Sequence, residues 1–481
     1  MTELTGAIAT VFILYVVFML GIGARAARFA QSPSHFFLAD RSLKAWVTAV
    51  SSTASSESAW AVLGTVGLAY KEGLSAAWFL PGCLLGYLLN WVFLAERLRR
   101  RSRETGAITL PDYFASHFRD PGHVLRIISV AIIFTSMMAY VAAQFTAIGK
   151  TFDVLFGVSH YWSIPIGGAI IILYTMMGGF LAVVWTDFIQ GLIMVAGLVI
   201  LSWVALMELG GVSGMIEQVN RVSPHTLEWM GGKTTAVFFG SMVGLLGIGL
   251  GYPGQPHVLN RYMAARDTRT IQTGLWIALG WGFLIYTSAI LLGLCGNALF
   301  PELSDPEHLF PRAAEALLPT WVSAVVLTGV LAAIMSTVSA QIIVAASAVA
   351  HDVYTKMMRR DPGPQRIITI SRWSILILGM GAMVIALTET RVIFWFVLFA
   401  WSGLGASFGP VILFTLYSKT VTRAGAIAGM LTGFISTLVW KISGLSDTVV
   451  YELVPAFLLA SLAVWGVSKF TQPVTPSQNT E

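Results

Sequence analysis

The stretch VTAVSSTASSESAWAVLG, residues 47–64, has the length and the apolar ends of a membrane span, yet its middle is Ser51, Ser52, Thr53, Ser55, Ser56, Glu57 and Ser58. Six hydroxyls and a carboxyl group stand where hydrocarbon is most hostile to them. A polar group at that depth must find a partner in the protein or line a wet cavity. The stretch is therefore either outside a bilayer or not a continuous helix facing lipid, and its neighbours decide which.

Of the 481 residues, 56% are hydrophobic and 11% charged; soluble domains carry about a quarter charged residues. Thirteen apolar runs are long enough to cross ~30 Å of hydrocarbon: 5–24, 45–69, 75–95, 125–149, 161–182, 187–207, 234–252, 272–296, 321–349, 367–388, 392–417, 423–441 and 449–468, numbered below as spans 1 to 13. The chain is thus expected to be an all-α polytopic membrane protein in a lipid bilayer, with one transmembrane domain over 1–470 and a disordered cytoplasmic tail over 471–481. Span 1 does not resemble a cleaved leader, because MTEL has no positive charge and Arg25 and Arg28 follow the apolar run.

Lysine and arginine placement sets the orientation. With the N-terminus outside and the C-terminus cytoplasmic, the cytoplasmic loops and tail hold 22 of the basic residues and the outer loops 7. An error of one span near the middle would scramble this bias. The formal charge of +5 is then a topology signal and no nucleic-acid footprint. The location expected is the cell (inner) membrane. Cys83 and Cys295 fall in spans, so no disulfide framework is indicated.

Enzyme signals are poor. GKT at 149–151 ends like a phosphate-binding loop, but Gln144 stands where its first glycine belongs. GIGLGYPG (247–254) lies in an apolar span with no strand before it. The histidines show no metal-ligand spacing. Without an ATP site, transport would be passive or driven by an ion gradient.

Span 7 runs into LGIGLGYPGQPH, and its glycines and prolines oppose a continuous helix. Interrupted spans at corresponding places in two halves point to the binding site of a secondary transporter. Here the interruptions fall in spans 2 and 7, five apart, so the second unit crosses in the opposite sense. That predicts a five-helix inverted repeat over about 45–207 and 234–417, with spans 1, 12 and 13 peripheral. In span 9, Ala333, Ser336 and Thr337 share a helical face. Two hydroxyls and a freed carbonyl suit a small hard cation such as Na⁺; they also suit close helix packing.

At these residues the chain resembles the sodium/solute symporter family, above all its sodium/proline branch. The motifs are ADRSL (39–43), ASSESAW (54–60), TLPDYF (109–114), GGFLAVVWTDFIQ (178–190), GLGYPGQPH (249–257), LAAIMSTVSAQ (331–341) and AWSGLGASFGPV (400–411). The resemblance implies an inverted-repeat fold of the amino-acid-transporter type with Na⁺ as coupling ion. It maps a sodium site to the carbonyls of Ala54, Glu57 and Ala333 and the hydroxyls of Ser336 and Thr337. It matches Asp187 to an acid that eases Na⁺ release and Arg41 to a functional arginine at the inner mouth of span 2. Ser58, Tyr140, Gln144, Tyr252, Pro256 and Trp401 take positions lining the solute pocket.

Departures accompany the match. The proline branch has Asp followed by Met where this chain has Ser56 and Glu57, Gly in place of Ala59, and Trp in place of Ile248. The loss of that indole weighs against proline as solute. The Glu57 side chain is left with three possible tasks: partner to Na⁺, partner to a solute amine, or buried scaffold. The function expected is Na⁺-driven import of a small organic solute, an amino acid such as proline or another small carboxylate. A membrane sensor on the same scaffold and a proton-coupled carrier using Glu57 are the alternatives. Nothing in the sequence sets an oligomeric state.

Overall fold

The computed structural model describes residues 2–29, 32–358, 363–388 and 393–471. Arg359, Arg360 and Arg391, counted in the charge bias above, and the tail from 472 lie outside the described residues; Thr471 still ends a helix, Leu453–Thr471. Those residues are helical almost throughout, and the one β feature among them is an isolated parallel bridge between Leu43 and Ala265.

Eleven helical segments among the described residues are long and apolar enough to cross a membrane, where the sequence predicts thirteen spans. The difference has a local cause. Trp60–Glu104 runs 45 residues through the outer part of span 2 and all of span 3, and His160–Glu208 runs 49 residues through spans 5 and 6. Each runs on without a loop through one glycine at positive φ, Gly73 (φ 62°) and Gly179 (φ 60°). At Gly179 a Cβ would lie 2.7 Å from the Phe36 ring, so the chain there needs both the conformation and the space of glycine.

Spans 2 and 7 are broken as the polar and glycine-rich patterns predict. Helix Ala45–Ser56 stops at Glu57 (φ −104°, ψ 67°), and a π-helical turn, Trp60–Gly64, restarts the chain. Helix Thr235–Gly247 tightens into a 3₁₀ turn, Ile248–Gly254, passes through extended Gln255, and resumes as Pro256–Ala264 with proline at its first position. The glycines of span 7 serve close approach as well as unwinding. A Cβ on Gly251 would fall 1.8 Å from Trp401 Nε1, and one on Gly249 2.1 Å from the Gly82 carbonyl.

Helix Thr320–Ser347, most of span 9, is the central staff of the bundle. Of its most apolar window 89% is buried inside the protein, against 28% for span 1 and 33% each for spans 12 and 13. The outer surface carries Leu14, Val17, Trp162, Trp203 and Trp276 exposed, a belt that lipid satisfies.

The loop carrying TLPDYF is tied to the ends of spans 4 and 9 by polar side chains. Arg126 pairs with Asp112 of TLPDYF (2.8 Å) and with Asp352 at the end of span 9, and Thr109 donates to Asp352 (2.7 Å). Burial opposes ionisation of Asp112, but His351 and Arg126 hold its carboxyl well below the usual carboxylate range. Arg126, at the start of span 4 and among the basic residues counted in the charge bias, is thus a buried structural ion.

Candidate ion and solute sites

The break in span 2 faces span 9. Ser336 Oγ donates to the Ala333 carbonyl (2.9 Å) and lies 3.3 Å from the Ala54 carbonyl across the interface. Thr337 Oγ1 is beside it, buried and without a hydrogen bond. Four of the five residues mapped to a sodium site therefore meet where helix Ala45–Ser56 ends. Gly191 lets span 6 pack closely behind them, since a Cβ there would lie 2.9 Å from Ala54 Cβ. These are neutral oxygen donors in a dry setting, which suits a hard monovalent cation.

The fifth residue divides its roles. The main chain of Glu57 is the first non-helical residue after Ser56. Its side chain turns toward spans 3 and 8, where Tyr87 Oη donates to Oε1 (2.5 Å) and Trp281 Nε1 to Oε2 (2.6 Å). Tyr87 joins Tyr286 (3.1 Å), and Tyr286 joins Tyr252 (2.9 Å).

One turn inward on the same helix, Ser51 Oγ donates to Asp187 Oδ2 (3.0 Å) and accepts from Arg261 Nε (2.8 Å). Arg261 Nη2 donates to the same Asp187 oxygen (2.6 Å) and Nη1 to the His257 carbonyl. Asp187 Oδ1 is buried with no hydrogen bond. The charge count placed Arg261 in a cytoplasmic loop; it is instead fully buried. The sequence held a signal for it, because an acid inside a span needs a cation and Asp187 had none assigned.

Arg41 belongs to a different cluster. Its guanidinium donates to the carbonyls of Met263 (3.0 Å), Ser102 (3.1 Å) and Ala107 (2.7 Å) and to Ser102 Oγ (2.9 Å). Burial and the neighbouring charge of Arg103 lower it to about 10, so it stays a cation at neutral pH. It stitches the inner loops near the Leu43–Ala265 bridge and does not reach Asp187 through any hydrogen bond among the described residues.

The proposed solute-lining residues fall into two groups. Ser58 Oγ, Tyr140 Oη and Gln144 Nε2 are buried without hydrogen bonds, while Gln144 Oε1 accepts from the Ala59 N–H (3.3 Å), the first amide after the break. His257, which follows Pro256, sets its ring edge-on to Tyr140 at 6.3 Å and leaves both nitrogens unpartnered. Tyr252 and Trp401 instead pack edge to face at 4.8 Å, and Trp401 donates to the Ile248 carbonyl (3.1 Å). Gln255 donates to the Trp401 carbonyl (3.0 Å), leaving its Oε1 open. Gln255 and His257 lie in the motif GLGYPGQPH, whose glycines and prolines are its visible signal, and nothing in the sequence marks these two as site residues. Several unpartnered polar atoms around one break are costly, about 1–3 kcal/mol each, unless water or a ligand satisfies them.

Outside this centre, a cavity of about 520 Å³ is lined by Glu72, Lys233, Leu245, Ile248, Leu398 and Tyr451 among others. Ile248 thus stands between the outer cavity and the Trp401 contact.

Comparison with known proteins bears on the family and the fold. The profile of the sodium:solute symporter family matches residues 36–433. The high-affinity proline transporter PutP of Bacillus subtilis is 35% identical over 465 residues, 96% of this chain and 97% of that protein. The sodium/proline symporter of Escherichia coli is 34% identical over 462 residues, 94% of this chain and 91% of that one. A Na⁺-coupled sialic acid symporter, solved substrate-bound and outward-open, shares the fold with a TM-score of 0.80 at 17% identity, covering 97% of this chain and 98% of its own. The nucleobase-cation-symport-1 transporter Mhp1 shares it more loosely, at 0.54 and 14% identity over 93% of this chain and 97% of that one. With the profile covering most of its length and full-length relatives at 34–35% identity, the chain belongs to the sodium:solute symporter family.

Proposed function

We propose that this Na⁺-coupled symporter imports proline, or a small zwitterionic amino acid closely similar to it, by alternating access at the breaks of spans 2 and 7. The observation that carries the reading is the meeting of Ala54, Ala333, Ser336 and the unpartnered Thr337 hydroxyl beside unpartnered Ser58, Tyr140 and Gln144. Ion ligands and solute ligands then share two consecutive residues, Glu57 and Ser58, so occupancy of one site shapes the other. The solute is named from the relatives, which are proline transporters over nearly their whole length. Ile248 remains the departure that would loosen the fit.

The topology belongs to the same proposal. Segments of 45 and 49 residues would extend about 70 Å as single helices, at ~1.5 Å per residue, more than twice the hydrocarbon thickness. Reversal at Gly73 and Gly179 would make each of them two crossings, which supports a reading of thirteen spans with an inverted repeat; the outer N-terminus rests on the lysine and arginine bias alone. Asp187 and Arg261 close the inner side, and release of Na⁺ inward requires their contacts to part.

The test is uptake into proteoliposomes containing the purified chain. Labelled proline should accumulate under an inward Na⁺ gradient and not under an equal K⁺ gradient. Accumulation driven by a pH gradient without Na⁺, or none of proline within a panel of amino acids and carboxylates, would overturn the ion or the solute respectively.

A further inference from the structure

Only two residues, Glu57 and Ser58, lie outside helical geometry between Ser56 and the restart of span 2. The main chain holds them loosely. Glu57 N donates to the Thr53 carbonyl (2.9 Å) as the last bond of the inner helix, and the Ala59 amide makes a long contact to Gln144 (3.3 Å). Trp60 Nε1 also donates to the Ser56 carbonyl (2.8 Å) and the Ala61 amide to the Ser58 carbonyl (3.0 Å), local bonds within span 2; the tie from the turn to other spans is the Glu57 carboxyl. Its two oxygens are held at 2.5 and 2.6 Å by donors on two different spans, and all the participants are buried. The phenol chain from Tyr87 through Tyr286 to Tyr252 continues the tether from the break in span 2 to the 3₁₀ turn of span 7.

We propose that the Glu57 side chain is a positioning residue for the ion site: by accepting from Tyr87 and Trp281 it holds the unwound turn so that the carbonyls of Ala54 and Glu57 face Ser336 and Thr337. This deepens the sodium-site reading above and rests on it. The chemistry of the partners explains the residue type. An indole N–H can only donate, so its partner must accept, and a planar two-oxygen group meets two donors from different directions at once. A methionine at this position would leave the Trp281 N–H buried and unpaired. Both carboxyl oxygens are already occupied by the phenol and the indole, and no lysine, arginine or histidine pairs with this carboxyl among the described residues. One residue therefore serves the ion with its main chain and the architecture with its side chain.

The experiment is equilibrium binding of radiolabelled Na⁺ to the purified full-length protein, which needs no knowledge of the solute. Glu57→Gln, which can accept from Trp281 and donate to Tyr87, should bind Na⁺ within about threefold of the native protein. Glu57→Leu should weaken binding about tenfold or more. The pair Tyr87→Phe with Trp281→Phe should reproduce that loss, and adding Glu57→Leu to it should cost less than about threefold more, as residues acting through one network do. Tyr87→Phe alone, the mildest change, gives an intermediate loss if the larger variants elute as aggregates. Loss by Glu57→Gln equal to that by Glu57→Leu would overturn the proposal, because charge and not placement would then matter. So would native affinity in the Tyr87 and Trp281 variants. The double variant Ser336→Ala, Thr337→Ala is measured alongside. If it binds Na⁺ normally the ion-site reading itself fails; if it alone loses Na⁺, only the positioning role fails.

Discussion

Arg261 Nη2 lies 2.6 Å from Asp187 Oδ2, and neither side chain is exposed at all. Spans 6 and 7 are joined at that point by a carboxyl and a guanidinium inside the protein, and the Ser51 hydroxyl of span 2 bonds to both. Removing one member of such a pair strands the other, at about 3–5 kcal/mol. Arg261→Leu or Asp187→Leu should therefore lower thermal stability and leave a cysteine at position 48 open to a membrane-impermeant thiol reagent from the cytoplasmic side. Removing both charges together should restore part of the stability, well short of the summed losses. Unchanged reagent access in both single variants would show that the pair does not close the inner side.

Ser336 and Thr337 should govern Na⁺ and little else. Replacing both by alanine is expected to raise the Na⁺ concentration for half-maximal uptake at least tenfold, about 1.4 kcal/mol. Met335→Ala and Val338→Ala, on the other faces of the helix, should shift it less than threefold. A double variant with native Na⁺ dependence would remove these hydroxyls from the site.

Ile248 lines the outer cavity and passes its carbonyl to Trp401. A larger aromatic side chain has that cavity to grow into. Ile248→Trp should therefore lower KM for proline, by up to tenfold for a recovered ring contact of ~1–1.5 kcal/mol, with kcat little changed. A higher KM would mean that the indole blocks entry and that the pocket is shaped for another solute.

Gly179 combines φ 60° with ψ −156°, a region open to glycine alone, and faces the Phe36 ring. Gly179→Ala should cost about 1–3 kcal/mol and lower the yield of folded protein. Gly21→Ala, where a Cβ meets open space, is the control expected to behave as native. Equal yields and melting temperatures for the two would show that the turn tolerates a side chain.

Much of this architecture was legible in the chain because the bilayer imposes a coarse, long-range code. Apolar runs of fixed length, basic residues on one side, and polar or glycine-rich interruptions each survive without knowledge of contacts. Positions 333, 336 and 337 could be grouped because two of them are one helical turn from the third, whereas Ala54 was joined to them only through the family resemblance. Partners from distant spans were not legible. Nothing near Glu57 in sequence names Tyr87 or Trp281, 30 and 224 residues away. Arg261 was misplaced because the charge rule counts every arginine near a span end as a loop residue, and it cannot see a buried acid on another span. The fusion of spans 2 and 3, and of spans 5 and 6, into single long helical segments was likewise invisible, since Gly73 and Gly179 resemble any other glycine until φ is known.

The Leu43–Ala265 bridge has a consequence for the exit route. The amide of Leu43 bonds the Ala264 carbonyl (3.1 Å), and the amide of Arg266 bonds the Leu43 carbonyl (3.0 Å), so the inner stubs of the two broken spans are laced by main chain. Main-chain lacing does not depend on side-chain rotamers and resists being pulled apart sideways. Under the alternating access proposed above, the stubs of spans 2 and 7 would swing as one door leaf, carrying Ser51 and Arg261 with them, and the Arg261–Asp187 contact would latch that leaf to span 6. A wedge-shaped inhibitor of such a motion is then expected to find its foothold on the flank facing spans 6 and 9, not in the seam between the two stubs.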